Sequence, residues 1–296
     1  MSNDILNQNQ TAVSYPQSAG MVQLTDKEFN DIRKIVYDNF GINLTDQKRS
    51  LVVGRLFKLL KSYGLNSFQE YFDYIQSDTT GRAMGELINR ISTNHTFFFR
   101  EKEHFDFLQN IALPEIESRQ KKGFTNDLRL WCAGCSYGDE PYTYIIVMLE
   151  YFKAKYSLWD AGLLATDISE PALHAAQKGI YPSERIRLVP PDLKHKYFKK
   201  IQDDEWIVSD RLKSEITFRR LNLMNSSFPF KKPFDIISCR NVMIYFDQPT
   251  RDALVKRFYQ HTTPGGYLFI GHSETLRSDS CPYEYIKPAI YRKGAV

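Results

Sequence analysis

Cysteine is scarce. Cys132, Cys135, Cys239 and Cys281 are the only four in 296 residues, too few for a disulfide scaffold in a chain this long. No apolar run approaches the ~20 residues of a membrane span, and no basic segment followed by an apolar one opens the chain, as a secretory signal would require. A cytoplasmic location is therefore expected, without membrane insertion. An excess of one charge sign is also missing: the net charge is +4, without the clustered basic surplus of a phosphate-reading protein, so no nucleic-acid partner is expected. Cys132–Ala133–Gly134–Cys135 is formally a C-x-x-C. Its first cysteine falls within a strand-like run and no second ligand pair exists, so small buried cysteines explain it better than metal or redox chemistry. No metal is expected.

What is present is the balance of a soluble globular protein, 42% hydrophobic and 25% charged, long enough for about two domains. Residues 1–23 are polar, rich in Asn, Gln and Ser, and read as a disordered tail. Thr25–Asp26–Lys27–Glu28 reads as a capping box ahead of Phe29, Ile32, Ile35, Val36 and Phe40 at helical spacing, with Gly41 as the stop. A second helix is expected from Asp46 to Tyr63, ending at Gly64. Val52, Val53, Leu56, Leu59, Leu60 and Tyr63 share one of its faces, and Arg55, Lys58 and Lys61 the opposite one. Ser67 caps a third helix, and Gly85–Ile91 belongs to a fourth. Residues 24–95 thus form an all-α N-terminal domain, and 96–127 a linker and connecting helix, the helix running from Lys102 to Lys122.

Residues 128–296 change character. Leu128–Ala133, Gly162–Thr166 and Phe234–Cys239 are short apolar runs alternating with helical stretches at 140–154, 169–178 and 249–262, the pattern of an α/β domain with a helix-wrapped parallel sheet. Gly265–Gly271 and Tyr283–Lys293 add the last strands, the latter an antiparallel edge. Within 203–220, Glu205–Val208 and Ile216–Arg219 read as a hairpin in an inserted β-subdomain.

The first strand runs into Gly134–Cys135–Ser136–Tyr137–Gly138, and Glu140–Pro141 opens a helix with proline at a favoured early position. A turn of this kind lets backbone approach a nucleoside cofactor, though a plain strand-to-helix turn would look the same. Charge separates the candidate cofactors. A pyrophosphate wants a helix N-terminus free of acids, whereas Asp139 and Glu140 sit there and suit the ammonium and sulfonium of S-adenosylmethionine. Asp167, ending the second strand, is placed either to accept ribose hydroxyls or to cap the next helix.

Seven segments in order resemble the CheR family of chemoreceptor glutamate methyltransferases, over nearly all of 24–292. They are Phe40–Leu44, Thr93–Glu101, Ala133–Ser136 with Gly138 and Glu140–Tyr142, Ala165–Ser169, Asn222–Leu223, Cys239–Phe246, and Gly265–Leu268 leading to Gly271–Glu274. Tyr137 and Asp139 depart from the residues most often found there, at positions that supply no unique chemical group. The resemblance implies a Rossmann-like methyltransferase domain with an inserted β-subdomain, behind a helical domain. It also implies methyl transfer from S-adenosylmethionine to receptor glutamates in chemotactic adaptation, leaving S-adenosylhomocysteine. Carried over by motif, cofactor contacts fall on Asn94, Thr96, Arg100, Glu140, Asp167, Asn222, Leu223, Arg240 and Asn241, with Arg100 and Tyr245 nearest the transferring methyl group.

A glutamate acceptor with a pKa near ~4.3 is already ionised at neutral pH, so no catalytic base is needed and His95 and His272 are expected to be structural. Arg100 paired with a nearby acid, Tyr245 as a core aromatic and Arg240 as a loop anchor are the competing structural readings. The basic face of Arg55, Lys58 and Lys61 would complement an acidic receptor helix, or is simply a solvated face. Some relatives grip a receptor's C-terminal peptide through the β-subdomain, and residues 203–220 do not decide whether this chain does. Three rival functions differ in class. A nucleic-acid methyltransferase would carry an Asn-Pro-Pro-Tyr-like clamp where Arg240–Tyr245 stands, and a non-catalytic binding module would have lost cofactor positions that are filled here. A small-molecule methyltransferase is only weakly opposed by the helical domain.

Overall fold

The computed structural model describes residues 24–92, 95–120 and 126–295. The tail expected over 1–23, Asn94 and the end of the helix expected to reach Lys122 lie outside the described residues.

The capping box forms as expected. Thr25 Oγ1 accepts the Glu28 N–H at 3.2 Å and Glu28 accepts the Thr25 N–H at 2.8 Å, starting α1 (Asp26–Phe40), which buries Phe29, Ile32, Val36 and Phe40. Asp46–Lys48 forms a 3-10 turn rather than α-helix, so α2 spans Arg49–Tyr63. Val52, Leu56, Leu59 and Leu60 are buried on its apolar face, but Tyr63 is exposed and bonds Glu86 through its hydroxyl. A tyrosine in a last helical turn can keep its polar tip wet. α3 (Phe68–Ser77), capped by Ser67, and α4 (Arg82–Ile91) complete the helical domain.

The connecting helix is interrupted. α5 (Glu103–Phe107) and α6 (Leu113–Gln120) are joined by a π turn over Leu108–Ala112. Pro114 has no N–H for the carbonyl four residues back, and a wider turn ahead of it relieves the ring clash.

β1 (Asp127–Ala133), α7 (Asp139–Phe152), β2 (Asp160–Asp167) and α8 (Glu170–Lys178) follow. Then come β3 (Ile180–Pro182), α9 (Pro191–Tyr197), β4 (Phe198–Gln202), β5 (Glu205–Val208), α10 (Asp210–Ser214) and β6 (Ile216–Arg220). β7 (Phe234–Cys239), α11 (Gln248–Gln260), β8 (Thr262–Ile270), β9 (Glu284–Lys287) and β10 (Ile290–Arg292) close the chain. The main sheet has the order β6-β2-β1-β7-β8-β10-β9, parallel from β6 to β8, with β10 and β9 antiparallel at the edge.

The hairpin expected within 203–220 does not form. Glu205–Val208 pairs with β4 and β3 in a separate three-stranded sheet, whereas Ile216–Arg220 is the parallel neighbour of β2. The inserted subdomain therefore centres on 180–208. α10 separates the two runs, and Ile216 and Phe218 bury themselves against the main core instead.

Alternation along β1 serves two packing layers. Leu130 and Cys132 join the core beneath α7, while Trp131 and Ala133 join a core that continues into the helical domain through Ile42 and Phe40. Chain order reverses at β1, with β2 on one side and β7 on the other, which opens a crevice at the carboxyl ends of these strands.

Candidate active site

That crevice is a cleft between the two domains. Its floor is the loop after β1. Gly134 has φ +86°, and a Cβ there would lie 2.4 Å from Val242 Cγ2, so only glycine lets the two strand-end loops meet. The N–H groups of Gly134 and Cys135 donate to the Thr166 carbonyl at 2.8 and 2.9 Å. Ser136, at φ +49°, donates its N–H to Asp167 Oδ2 at 2.7 Å, and its own Oγ is buried without a partner.

The two acids at the start of α7 part company. Asp139 is fully buried and ion-paired with Arg185, whose Nε lies 2.9 Å from Oδ1. Burial outweighs that pairing and pushes its carboxyl up to about 6. It does not line the cleft, so its expected part in repelling phosphates is corrected: Arg185 already answers its charge. Glu140 does line the cleft, accepting Ser238 Oγ at 2.6 Å and Arg240 Nη1 at 3.0 Å. Asp167 also faces it. The cap of α8 comes from Ser169, whose Oγ takes the Ala172 N–H. Burial raises the Asp167 carboxyl, while the Ser136 and Ser169 N–H groups favour its ionised form. A carboxylate has about four acceptor positions, so the two backbone bonds leave capacity toward the cleft.

Arg240 is buried at the end of β7 and ties three segments together. It reaches Glu140 on α7, Glu101 at 3.1 Å, and the Arg100 carbonyl. Glu101 also accepts Asn241 Nδ2 at 3.3 Å. Nothing in the sequence marked Glu101 beyond its place beside Arg100, because its partners lie about 140 residues away. Nearby His104 is buried, and desolvation together with the Arg240 charge holds its imidazole down to about 3; it is neutral at physiological pH.

Arg100 Nη1 donates to the His95 carbonyl at 2.6 Å, and its Nε stands 4.0 Å from Glu101. Tyr245 faces the same space. Its carbonyl accepts the Asn43 N–H at 2.8 Å, and Lys48 Nζ lies 5.5 Å from its ring. Asn222 and Leu223 also line the cleft, with the Asn222 amide donating to the Asn39 carbonyl at 2.7 Å and accepting the Met224 N–H at 3.0 Å. Thr96, Arg100, Glu140, Asp167, Asn222, Leu223, Arg240, Asn241 and Tyr245 all line this one cleft. Phe40, Ile42 and Ile88 of the helical domain line it too, a contribution that helical periodicity cannot reveal. The α2 cations stand apart. Lys58 and Lys61 are exposed, but Arg55 is half-buried and donates to the Ile91 carbonyl at 2.5 Å.

The donor set fits a cationic nucleoside cofactor. Asp167 and Glu140 offer acceptors for ribose hydroxyls and an ammonium, Ser136 offers an unpartnered hydroxyl, and Ile168, Leu221 and Leu223 offer apolar walls for a base.

Two family models match the chain: "CheR methyltransferase, all-alpha domain" over residues 27–92 and "CheR methyltransferase, SAM binding domain" over 94–291. A chemotaxis protein methyltransferase of Borreliella burgdorferi is 46% identical over 273 residues, 92% of this chain and 96% of its own. A probable chemotaxis protein methyltransferase of Rhizobium etli is 37% identical across 83% of this chain and 91% of its own. The chemotaxis protein methyltransferase of Escherichia coli is 35% identical over 263 residues, 88% of each chain.

Proposed function

Because the chain belongs to the CheR methyltransferase family, and so is an S-adenosylmethionine-dependent methyltransferase of chemotaxis, we propose that its acceptors are glutamate side chains on the cytoplasmic methylation helices of chemoreceptors. Its products are then glutamyl methyl esters and S-adenosylhomocysteine. What carries this reading is the convergence of Arg100 and Tyr245 on one interdomain cleft that also presents Glu140 and Asp167.

When bound, S-adenosylmethionine supplies an electrophilic methyl group on a cationic sulfur. Asp167 and Glu140 would hold its hydroxyls and ammonium, with Thr96, Asn222, Leu223, Arg240 and Asn241 completing the enclosure; Asn94 is proposed as a further contact on its family motif alone. Arg100 and the Tyr245 hydroxyl would orient the incoming carboxylate, and the apolar walls strip it of water. The acceptor is ionised at neutral pH, so no side chain has to remove a proton.

For docking we propose Lys58 and Lys61 on the exposed side of α2, facing an acidic receptor helix. Arg55 contributes less, since its guanidinium is held by the end of α4. Charge reversal at Lys58 and Lys61 should raise the Michaelis constant for receptor and leave S-adenosylmethionine affinity unchanged. A receptor's C-terminal peptide would add to the open edge of the small sheet at β4, where Lys199 and Lys200 are exposed. Among the described residues no helix is long and apolar enough to cross a membrane; we propose that the enzyme acts on the cytoplasmic side of its receptors, where their methylation helices lie.

Receptor-containing membranes incubated with methyl-labelled S-adenosylmethionine and then treated with base test the proposal. Label released as methanol establishes a carboxyl ester, whereas base-stable label, or none, rejects a glutamate acceptor.

A further inference from the structure

The loop from Arg240 to Phe246 carries three cleft residues, Arg240, Asn241 and Tyr245, yet its only regular structure is a single 3-10 turn over Met243–Tyr245. Asn241 moreover holds φ +60°, which a non-glycine residue adopts at a cost. Something else must fix this segment. We propose that Glu274 is the positioning residue that templates the methyl-transfer loop, acting on the reaction through Asn241 and Tyr245.

Glu274 follows the last parallel strand and is only 7% exposed. Its Oε2 accepts the Asn241 N–H at 3.0 Å and the Gly271 N–H at 2.5 Å, and its Oε1 accepts the Ile244 N–H at 3.1 Å. One carboxylate therefore joins the end of β8 to both halves of the loop after β7. Those ends are neighbours, since Cys239 pairs with Ile270. Their approach is close: a Cβ on Gly271 would stand 2.8 Å from the Asn241 backbone nitrogen. A buried acid without a counter-cation is expensive unless donors surround it; here the donors are backbone groups of the loop itself. Only an acceptor at both oxygens can hold all three N–H groups. A glutamine would turn an NH₂ toward one side and lose the bond there.

This inference rests on the assignment of Asn241 and Tyr245 to the site. The test uses the full-length enzyme with receptor membranes, comparing Glu274→Gln and Glu274→Asp with Asn241→Ala and Tyr245→Phe. Glu274→Gln keeps length and loses one acceptor, while Glu274→Asp keeps charge and loses reach. Both should fold, by circular dichroism and thermal melting, and lower kcat by about 10- to 100-fold, the loss expected for reacting groups displaced by about 1 Å. KM for S-adenosylmethionine should rise several-fold, and KM for receptor should stay near the wild-type value because docking lies elsewhere. If both Glu274 variants keep wild-type kcat, or lose activity only in proportion to the unfolded fraction, the template role is wrong. If Asn241→Ala and Tyr245→Phe are themselves silent, the site assignment fails instead.

Discussion

Replacing Arg240 with methionine leaves Glu140 and Glu101 facing each other across a buried space with no cation between them. In the wild-type protein the guanidinium meets Glu140 at 3.0 Å and Glu101 at 3.1 Å, with a side-chain exposure of 1%. Breaking a buried pair by removing one partner costs roughly 3–5 kcal/mol, because the remaining charge is stranded. At roughly 2–4 °C per kcal/mol for a chain of this size, the melting temperature should fall by about 6–20 °C at pH 7. The pH dependence identifies the cause. Burial works to raise the Glu101 carboxyl, but Arg240 and the Asn241 amide more than offset it and leave it below its ordinary value. In the wild type this contribution is full at neutral pH and is lost as pH falls through the depressed value. Without Arg240 the largest opposition to burial is gone, with the Asn241 amide still in place, and the carboxyl should rise above its ordinary value. The variant then gains stability relative to its own neutral-pH state as acid protonates it. Urea titrations from pH 7 toward about 5 should therefore show the deficit shrinking. A deficit below about 1 kcal/mol, the worth of an exposed pair, or one constant across that range, would refute the stranded-charge argument.

Other perturbations reach different parts of the scaffold. Gly138→Ala forces a Cβ within 2.8 Å of Ala176 Cβ at φ +90°; a loss of about 1–3 kcal/mol is expected from backbone strain alone, and a urea midpoint equal to wild type would contradict it. Asp139, raised from 3.8 to about 6 by burial, binds its proton more tightly in the folded than in the unfolded state. Wild-type stability should accordingly decline as pH rises from about 4 to 6, and Asp139→Asn should remove that slope; an unchanged slope would assign it to another group. Thr25→Ala removes the side-chain half of the α1 capping box while the residue-25 N–H can still reach Glu28, and should cost about 1 kcal/mol, read by urea titration, with methylation rates unaltered below the transition; a change under ~0.3 kcal/mol would show the cap to be redundant.

Local signals were legible where local physics decides. The Thr25–Glu28 box, the Gly41 and Gly64 stops and the strand–glycine–helix at Ala133–Asp139 depend on neighbours a few residues apart, and each is found in the structure. The fate of Glu205–Val208 and Ile216–Arg220 was not legible. Both runs look like strands, but which partner each chooses depends on surfaces made by β2 and β4. Asp139 shows the same limit in charge. Its place at a helix entrance was readable, yet its direction was set by Arg185, 46 residues away. Glu101 and Glu274 were missed as site residues because an acid in a loop has no periodicity, and its meaning lies in the backbone it faces. The cleft wall from Phe40, Ile42 and Ile88 arises only once two domains share a core.

Methyl transfer in this cleft depends on where the cofactor lies, which a crystal structure of the enzyme with S-adenosylhomocysteine would show. The ribose should hydrogen-bond Asp167, the amino-acid end should approach Glu140, and the sulfur should face the gap between Arg100 and Tyr245. A nucleoside bound outside the interdomain cleft, or a sulfur turned away from both side chains, would rule out this cleft as the site of methyl transfer.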